Sequence, residues 1–318
     1  MRIVFMGTPE FAVASLDALI KNNYTVVGVV TVPDKPAGRG QQVQQSAIKK
    51  YALEHNLKLL QPEKLKDEYF ITELKELKAD LQFVVAFRML PEIVWNMPKM
   101  GTYNLHASLL PKYRGAAPIN WAIINGEKES GVTTFKLKHE IDTGNILFRE
   151  KVKIETTTTA GELHDNLMVV GASLIVKTAE ALQKSFESGV EPDFLLQDES
   201  LVCHAPKIFK DDCLIDWEKP AIEINNRIRG LSPYPTAYAR LKNGDDVVMM
   251  IKIFNSKFEP CEPFHPNGSL LTDNKTFLKV YCEDGLVEIT DLQLQGKKRM
   301  TIAEFLRGFT IKDKAMFL

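Results

Sequence analysis

The chain is poor in cysteine. Cys203, Cys213, Cys261 and Cys282 are its only four, spread without a CxxC pair, so neither a disulfide framework nor a structural metal site is suggested. It also lacks any apolar run of the roughly 18 residues that a membrane span needs. The N-terminus opens on RIVFM without a basic leader or a cleavage-type site, so a soluble, cytoplasmic protein with no membrane partner is expected. A net charge of −1 over 318 residues excludes a protein whose whole surface grips nucleic acid. Two catalytic motifs are missing as well. MGTPEF (6 to 11) has one glycine where a dinucleotide site needs GxGxxG, and there is no GxSxG elbow to present a nucleophilic serine. Thr8 and Pro9 read instead as the N-cap and first position of a helix.

The charge that is present is unevenly placed. Residues 31 to 50 carry Lys35, Arg39, Lys49 and Lys50 against Asp34, and residues 293 to 318 include Lys297, Lys298 and Arg299, so these two stretches sum to +3 and +4 while the remainder carries −8. Solvated surface is one use of such charge, and a localised nucleic-acid contact is another.

A length of 318 residues favours two domains. In the first half, β-branched runs at 3–6, 25–31, 57–60 and 81–87 alternate with amphipathic stretches at 9–21, 46–55 and 67–77, the pattern of a parallel sheet covered by helices. TYNLHA adds a fifth strand, 117–125 a helix, TTFKLK and ILFREKVKI an antiparallel pair, and 160–187 a long helix burying Leu163, Leu167, Val170, Leu174 and Ala181. The polar stretch 190–204 reads as a linker between domains 1–189 and 205–318. Beyond it, a helix near 220–230 and the short runs AYARL, VVMMIKIF, GSLLT, FLKVYC and LVEITDLQL indicate a small barrel or sandwich.

Within NLHASLLPKYRG (104 to 115), Asn104 and His106 are two residues apart and share one face of a strand, about 6.5 Å from each other, a spacing that flanks a bound group. Ser108 cannot reach His106 without an abrupt turn, so Ser108, Leu109, Leu110 and Pro111 read better as a pocket wall than as a nucleophile and its surroundings. In HEIDTGNIL, spacing alone makes Asp142 a turn residue. Brought beside His106, its carboxylate would favour the imidazolium and orient the ring. An Asn, His and Asp trio has no nucleophile of its own. It suits a transfer in which the substrate attacks, the Asn donates to an oxyanion and the His handles the proton.

NLHASLLPKYRGAAPIN together with EIDTGNIL resembles the folate-dependent formyltransferases. That resemblance implies formyl transfer from 10-formyltetrahydrofolate without a metal, a catalytic trio of Asn104, His106 and Asp142, and a folate-binding segment Ser108, Leu109, Leu110 and Pro111. VVAFRMLP (84 to 91) matches the segment near the pterin, with Arg88 where a small residue is usual, so Arg88 and Met89 join the folate candidates. MGTPEFA, PDKPAGRG, KIFKDDCLIDW, RIRGLSPYPTAYA and LQLQGKKRM resemble the branch of the family that formylates charged initiator methionyl-tRNA. This implies an α/β, Rossmann-like formyltransferase domain with a mostly parallel sheet, followed by an OB-like β-barrel, acting as a monomer in translation initiation. The tRNA contacts implied are Lys35, Arg39, Lys207, Lys297, Lys298 and Arg299. A sugar-nucleotide amine formyltransferase is the alternative within the family, and a folate- or RNA-binding module without catalysis is the alternative outside it.

Overall fold

The computed structural model describes residues 1–37, 42–244, 248–262 and 264–318. The chain divides into two compact units, the first formed by Met1–Gly115, Ser130–Val152 and His164–His204, the second by Ala116–Glu129, Lys153–Leu163 and Ala205–Leu318. The first half runs β1 (Arg2–Gly7), α1 (Glu10–Lys21), β2 (Thr25–Val30), β3 (Lys35–Ala37), β4 (Gln42–Gln44), α2 (Ala47–Glu54), β5 (Leu59–Leu60), α3 (Glu68–Glu76), β6 (Leu81–Val85), α4 (Glu92–Trp95), β7 (Thr102–His106), β8 (Lys112–Gly115), α5 (Pro118–Ile124), β9 (Glu129–Lys136), β10 (Ile146–Lys153) and α6 (Ala160–Ser188).

Seven of these strands form one sheet in the order β10-β9-β7-β6-β1-β2-β5. β1 lies parallel between β2 and β6, β5 extends the sheet beyond β2 and β7 beyond β6, and β9 turns antiparallel against β7. Ile3, Val4, Phe5 and Met6 are all fully buried. Neighbouring side chains on a strand point to opposite faces, so this unbroken apolar run records a strand covered on both sides. One face packs Val4, Met6, Val30 and Val84 against Phe70, Leu74 and Leu77 of the α3 segment. In α1 the buried Ala12, Leu16 and Leu19 follow helical spacing.

Three expectations are corrected here. Thr8 does not cap α1: Pro9 occupies the cap position and no side chain bonds the free amides there. The buried stripe of α6 runs through Leu163, Leu167, Gly171, Leu174, Thr178 and Leu182, leaving Val170 and Ala181 half-buried. A Cβ at Gly171 would approach Leu105 Cδ2 to 2.8 Å, so this side of the helix packs closely on the Leu105 side chain of β7. Thr178 is tolerated because its hydroxyl bonds both Thr134 Oγ1 and the Leu174 carbonyl. Finally, 190–204 is integral to the first unit, where Leu195 bridges Ile146.

The remainder of the chain contributes β11 (Cys203–Ala205), α7 (Ala221–Leu231), β12 (Ala237–Lys242), β13 (Val248–Pro260), β14 (Leu270–Thr272), β15 (Leu278–Cys282), β16 (Gly285–Leu294), β17 (Met300–Thr301), α8 (Ile302–Gly308) and β18 (Met316–Phe317). An antiparallel sheet in the order β14-β15-β16-β13-β12-β18 carries β17 on β16. Ser269, next to β14, bridges Met316 of β18, so the sheet edges meet in a nearly closed barrel. Ile251, Ile253, Val280, Val287 and Ile289 share its core with Ile224, Ile228 and Leu231 of α7. Each such side chain contributes about 1.5–3 kcal/mol by leaving water. The short helix α8 begins with a capping box, Thr301 and Glu304 each bonding the other's backbone amide.

Among the described residues, no helix is long and apolar enough to cross a membrane.

Candidate active site

The site grows from the carboxyl end of β7. The sheet order reverses between β1 and β6, and open α/β sheets form ligand crevices at the strand ends beside such a reversal. β7 is the neighbour of β6, with Asn104 in register with Val84. Tyr103 and Leu105 are buried on one face, which leaves Asn104 and His106 together on the other, as their spacing requires.

After His106 the chain makes a compact turn. Thr133 Oγ1 donates to the Ser108 carbonyl at 2.7 Å and accepts from the Leu110 amide at 3.2 Å. Ser108 Oγ donates to the Lys112 carbonyl at 2.6 Å, so it closes the turn. The apolar wall expected from SLLP is largely turned inward. Ser108 and Leu110 are fully buried, Pro111 is buried, Leu110 packs with Phe135 and Ile146, and only Leu109 is half-exposed. The side chains of this segment hold the turn, and Leu109 lies half-exposed against Gly131.

The turn delivers Tyr113 and Gly115 to the site, with φ of 61° and 127°. Gly115 adopts its conformation without the Cβ penalty that other residues would meet. The Tyr113 carbonyl lies 2.8 Å from His106 Nε2. A carbonyl only accepts, so Nε2 carries a proton and Nδ1 is the nitrogen free to exchange one. Nδ1 faces Asp142 Oδ2 at 3.9 Å, an ion-pair distance for the protonated ring that is too long for a direct hydrogen bond. Oδ2 also accepts the Gly115 amide at 3.0 Å. Both side chains are well shielded, at 7% and 11% exposure, so their attraction is only weakly screened by solvent.

Asp142 reaches this position from a turn with φ of 55°. A Cβ on Gly144 would come within 1.7 Å of the Lys136 carbonyl, so only glycine lets the turn fold back onto β9. Gln197 Nε2 donates to the carbonyls of Asp142 and Gly144 at 2.8 and 2.9 Å. Its Oε1 accepts from Arg114, which is buried and also grips Glu199. The guanidinium holds the Glu199 carboxyl below its ordinary range. Sequence reading missed Gln197, Glu199 and the role of Arg114. RG marked a turn, and a polar QDE in an apparent linker carries no periodicity.

The remaining candidates are more dispersed. Arg88 donates to the carbonyls of Pro62 and Glu63, while its Nε–H is buried without a protein acceptor, and the neighbouring Met89 is 74% exposed. Lys35 is exposed on β3; Arg39 lies outside the described residues. Lys49, counted with that basic stretch, is committed to Asp34 at 2.6 Å. In the second unit Lys297 and Lys298 are exposed, Lys207 lies over Phe209, and Arg299 lies over Phe254 and pairs with Asp291 at 3.3 Å. Among the described residues no group of three or more His, Cys, Asp or Glu could hold a metal.

Comparison with known proteins decides the lineage. Residues 1–179 match the family model "Formyl transferase", and residues 207–310 match "Formyl transferase, C-terminal domain". Methionyl-tRNA formyltransferases of Bacteroides fragilis and Parabacteroides distasonis are 52% and 53% identical to it, over 98% and 97% of this chain and 96% of each relative. That of Flavobacterium johnsoniae is 51% identical over 99% of this chain and 98% of its own. The chain belongs to the methionyl-tRNA formyltransferase family. It is therefore a formyl-transferring enzyme, and its chain carries both domain matches of that family in order.

Among solved structures, the sugar 3N-formyltransferase WlaRD, crystallised with dTDP and 5-N-formyl-THF, aligns with a TM-score of 0.65 and 24% identity over 94% of this chain and 99% of its own. HypX from Aquifex aeolicus in complex with tetrahydrofolic acid aligns at 0.62 and 19% identity, over 96% of this chain and 47% of its own. At these identities the likeness is one of fold.

Proposed function

We propose that this enzyme transfers the formyl group of 10-formyltetrahydrofolate to the α-amino group of methionyl initiator tRNA, with Asn104, His106 and Asp142 as its catalytic residues. The observation that carries the chemistry is the arrangement around His106: Nε2–H is committed to the Tyr113 carbonyl, and Nδ1 is directed toward a buried carboxylate. Identity of about half over nearly the full length of the relatives supports the acceptor.

The neutral amine attacks the formyl carbon, and the carbonyl electrons move onto oxygen. The Asn104 side-chain amide donates to that oxyanion. His106 Nδ1 takes the proton lost by the amine and returns one to N10 of the departing tetrahydrofolate, so no net proton is consumed. Asp142 opposes the positive charge while the ring is protonated. One oxyanion donor contributes about 10²–10³ in rate and acid–base catalysis about 10²–10⁴. In the folate site Leu109 offers a half-exposed apolar side chain, and Arg88 Nε–H remains as an unsatisfied donor for a bound polar group. Lys35, Arg39, Lys207, Lys297, Lys298 and Arg299 serve the tRNA phosphates. The same reading makes the enzyme a cytoplasmic monomer, with an elution volume in size-exclusion chromatography that corresponds to one chain.

The test is formyl transfer by the purified protein to charged initiator methionyl-tRNA, elongator methionyl-tRNA and a sugar-nucleotide amine, with the same folate donor. Preferential transfer to the initiator is expected. Transfer to the sugar amine alone would overturn the acceptor assignment, and no transfer to any acceptor would favour a binding module.

A further inference from the structure

The loop carrying Asp142 is held from behind by a side-chain pair outside the catalytic trio. Gln197 presents its Nε2 to the carbonyls of Asp142 and Gly144 at 2.8 and 2.9 Å, so a single amide group spans the turn. Its Oε1 accepts from Nε and Nη2 of Arg114 at 3.1 and 2.7 Å. The amide can sit only this way round: a guanidinium has no acceptor and a carbonyl no donor, so a flipped amide would oppose like groups on both sides. Arg114 is 8% exposed, and its fork is completed by the Glu199 carboxylate at 3.0 and 2.8 Å. Arg114 also lies between the two backbone groups that reach the trio. Tyr113 receives His106 through its carbonyl, and Gly115 gives its amide to Asp142.

We infer that Gln197, oriented by Arg114, is a positioning residue that clamps the 142–144 turn and thereby sets the Asp142 carboxylate against Gly115 and His106. This rests on the reading that His106 and Asp142 carry the transfer. Its action is on the transition state: the clamp aligns the carboxylate that opposes a transient charge and touches neither substrate. Displacing a catalytic group by about 1 Å can cost about 10² in rate. Loss of the clamp therefore lowers kcat and leaves both KM values in place.

Gln197→Glu is the sharpest probe, because it keeps the shape and the acceptor for Arg114 but turns an oxygen toward two carbonyls. The expected result is a fall of about 10- to 100-fold in kcat, with KM for methionyl-tRNA and for 10-formyltetrahydrofolate changed by less than about twofold. Combined with Asp142→Asn, it should cost less than about a further twofold, because the clamp acts through that carboxylate. Wild-type kcat in Gln197→Glu, or effects that multiply fully in the double variant, would overturn the positioning role. If Gln197→Glu does not fold, as judged by its Tm, Gln197→Met removes the same bonds without placing an anion there, and the same cycle decides. Wild-type kcat in Asp142→Asn alone would overturn the trio itself, an outcome separate from any behaviour of Gln197.

Discussion

The polar groups around His106 and the cations of the GKKRM stretch illustrate two ways of using charge. In the first unit, Arg114 and His106 are buried and Asp142 and Gln197 half-buried, and each meets more than one partner at a defined distance. In the second, Lys297 and Lys298 are exposed at the end of β16. Low local polarizability and fixed geometry make each buried group indispensable to its neighbours. Exposed cations act additively and are screened by salt. The first arrangement suits chemistry at one atom, and the second suits attraction to a charged polymer.

Removing the charge at Asp142 should break the comparison most strongly on the catalytic side. Asp142→Asn is expected to lower kcat by about 10²–10⁴ while changing KM for tRNA little, in steady-state formylation assays. Next, Lys297→Ala combined with Lys298→Ala should raise KM for tRNA and leave kcat unaltered. A plot of log KM against log salt should then lose about one unit of slope for each phosphate contact removed. Arg299→Ala should give a smaller rise in KM than either lysine, since Arg299 already spends its charge on Asp291 and the Phe254 ring, and parallel titrations with tRNA would compare the three.

The smallest effect is expected at Glu199, which is exposed although its partner is buried. Its carboxyl is held below the ordinary range by Arg114, so the stabilisation is complete above the unfolded carboxylate pKa of about 4.3 and is lost as pH falls through the lower folded value. Glu199→Gln should accordingly flatten the acid side of the stability profile slightly, measured as urea midpoints at pH 3 and pH 6.

Much of the fold was legible because its elements obey local periods. The buried apolar run Ile3–Met6 of β1, the shared face of Asn104 and His106 on β7 and the helical spacing in α1 follow from where consecutive side chains point. Helix α8 could have been read too, since Thr301 and Glu304 in MTIAEF have the capping-box spacing. The inward turn of Ser108, Leu110 and Pro111 could not, because it depends on Thr133 from another strand.

The sequence by itself determined that Asn104 and His106 share a face and, through its motifs, which family the chain resembles, while the bond from Ser108 Oγ to the Lys112 carbonyl, which occupies that hydroxyl, belongs to the folded turn. Tertiary structure alone decided that Asp142 stands 3.9 Å from His106 Nδ1, that Tyr113 fixes the other nitrogen, and that Gln197 joins the site from 83 residues beyond Arg114. The reason is physical. Periodicity records the direction of side chains along one element, whereas a hydrogen bond between distant segments depends on where folding brings both of them, and no local pattern in either segment encodes the other.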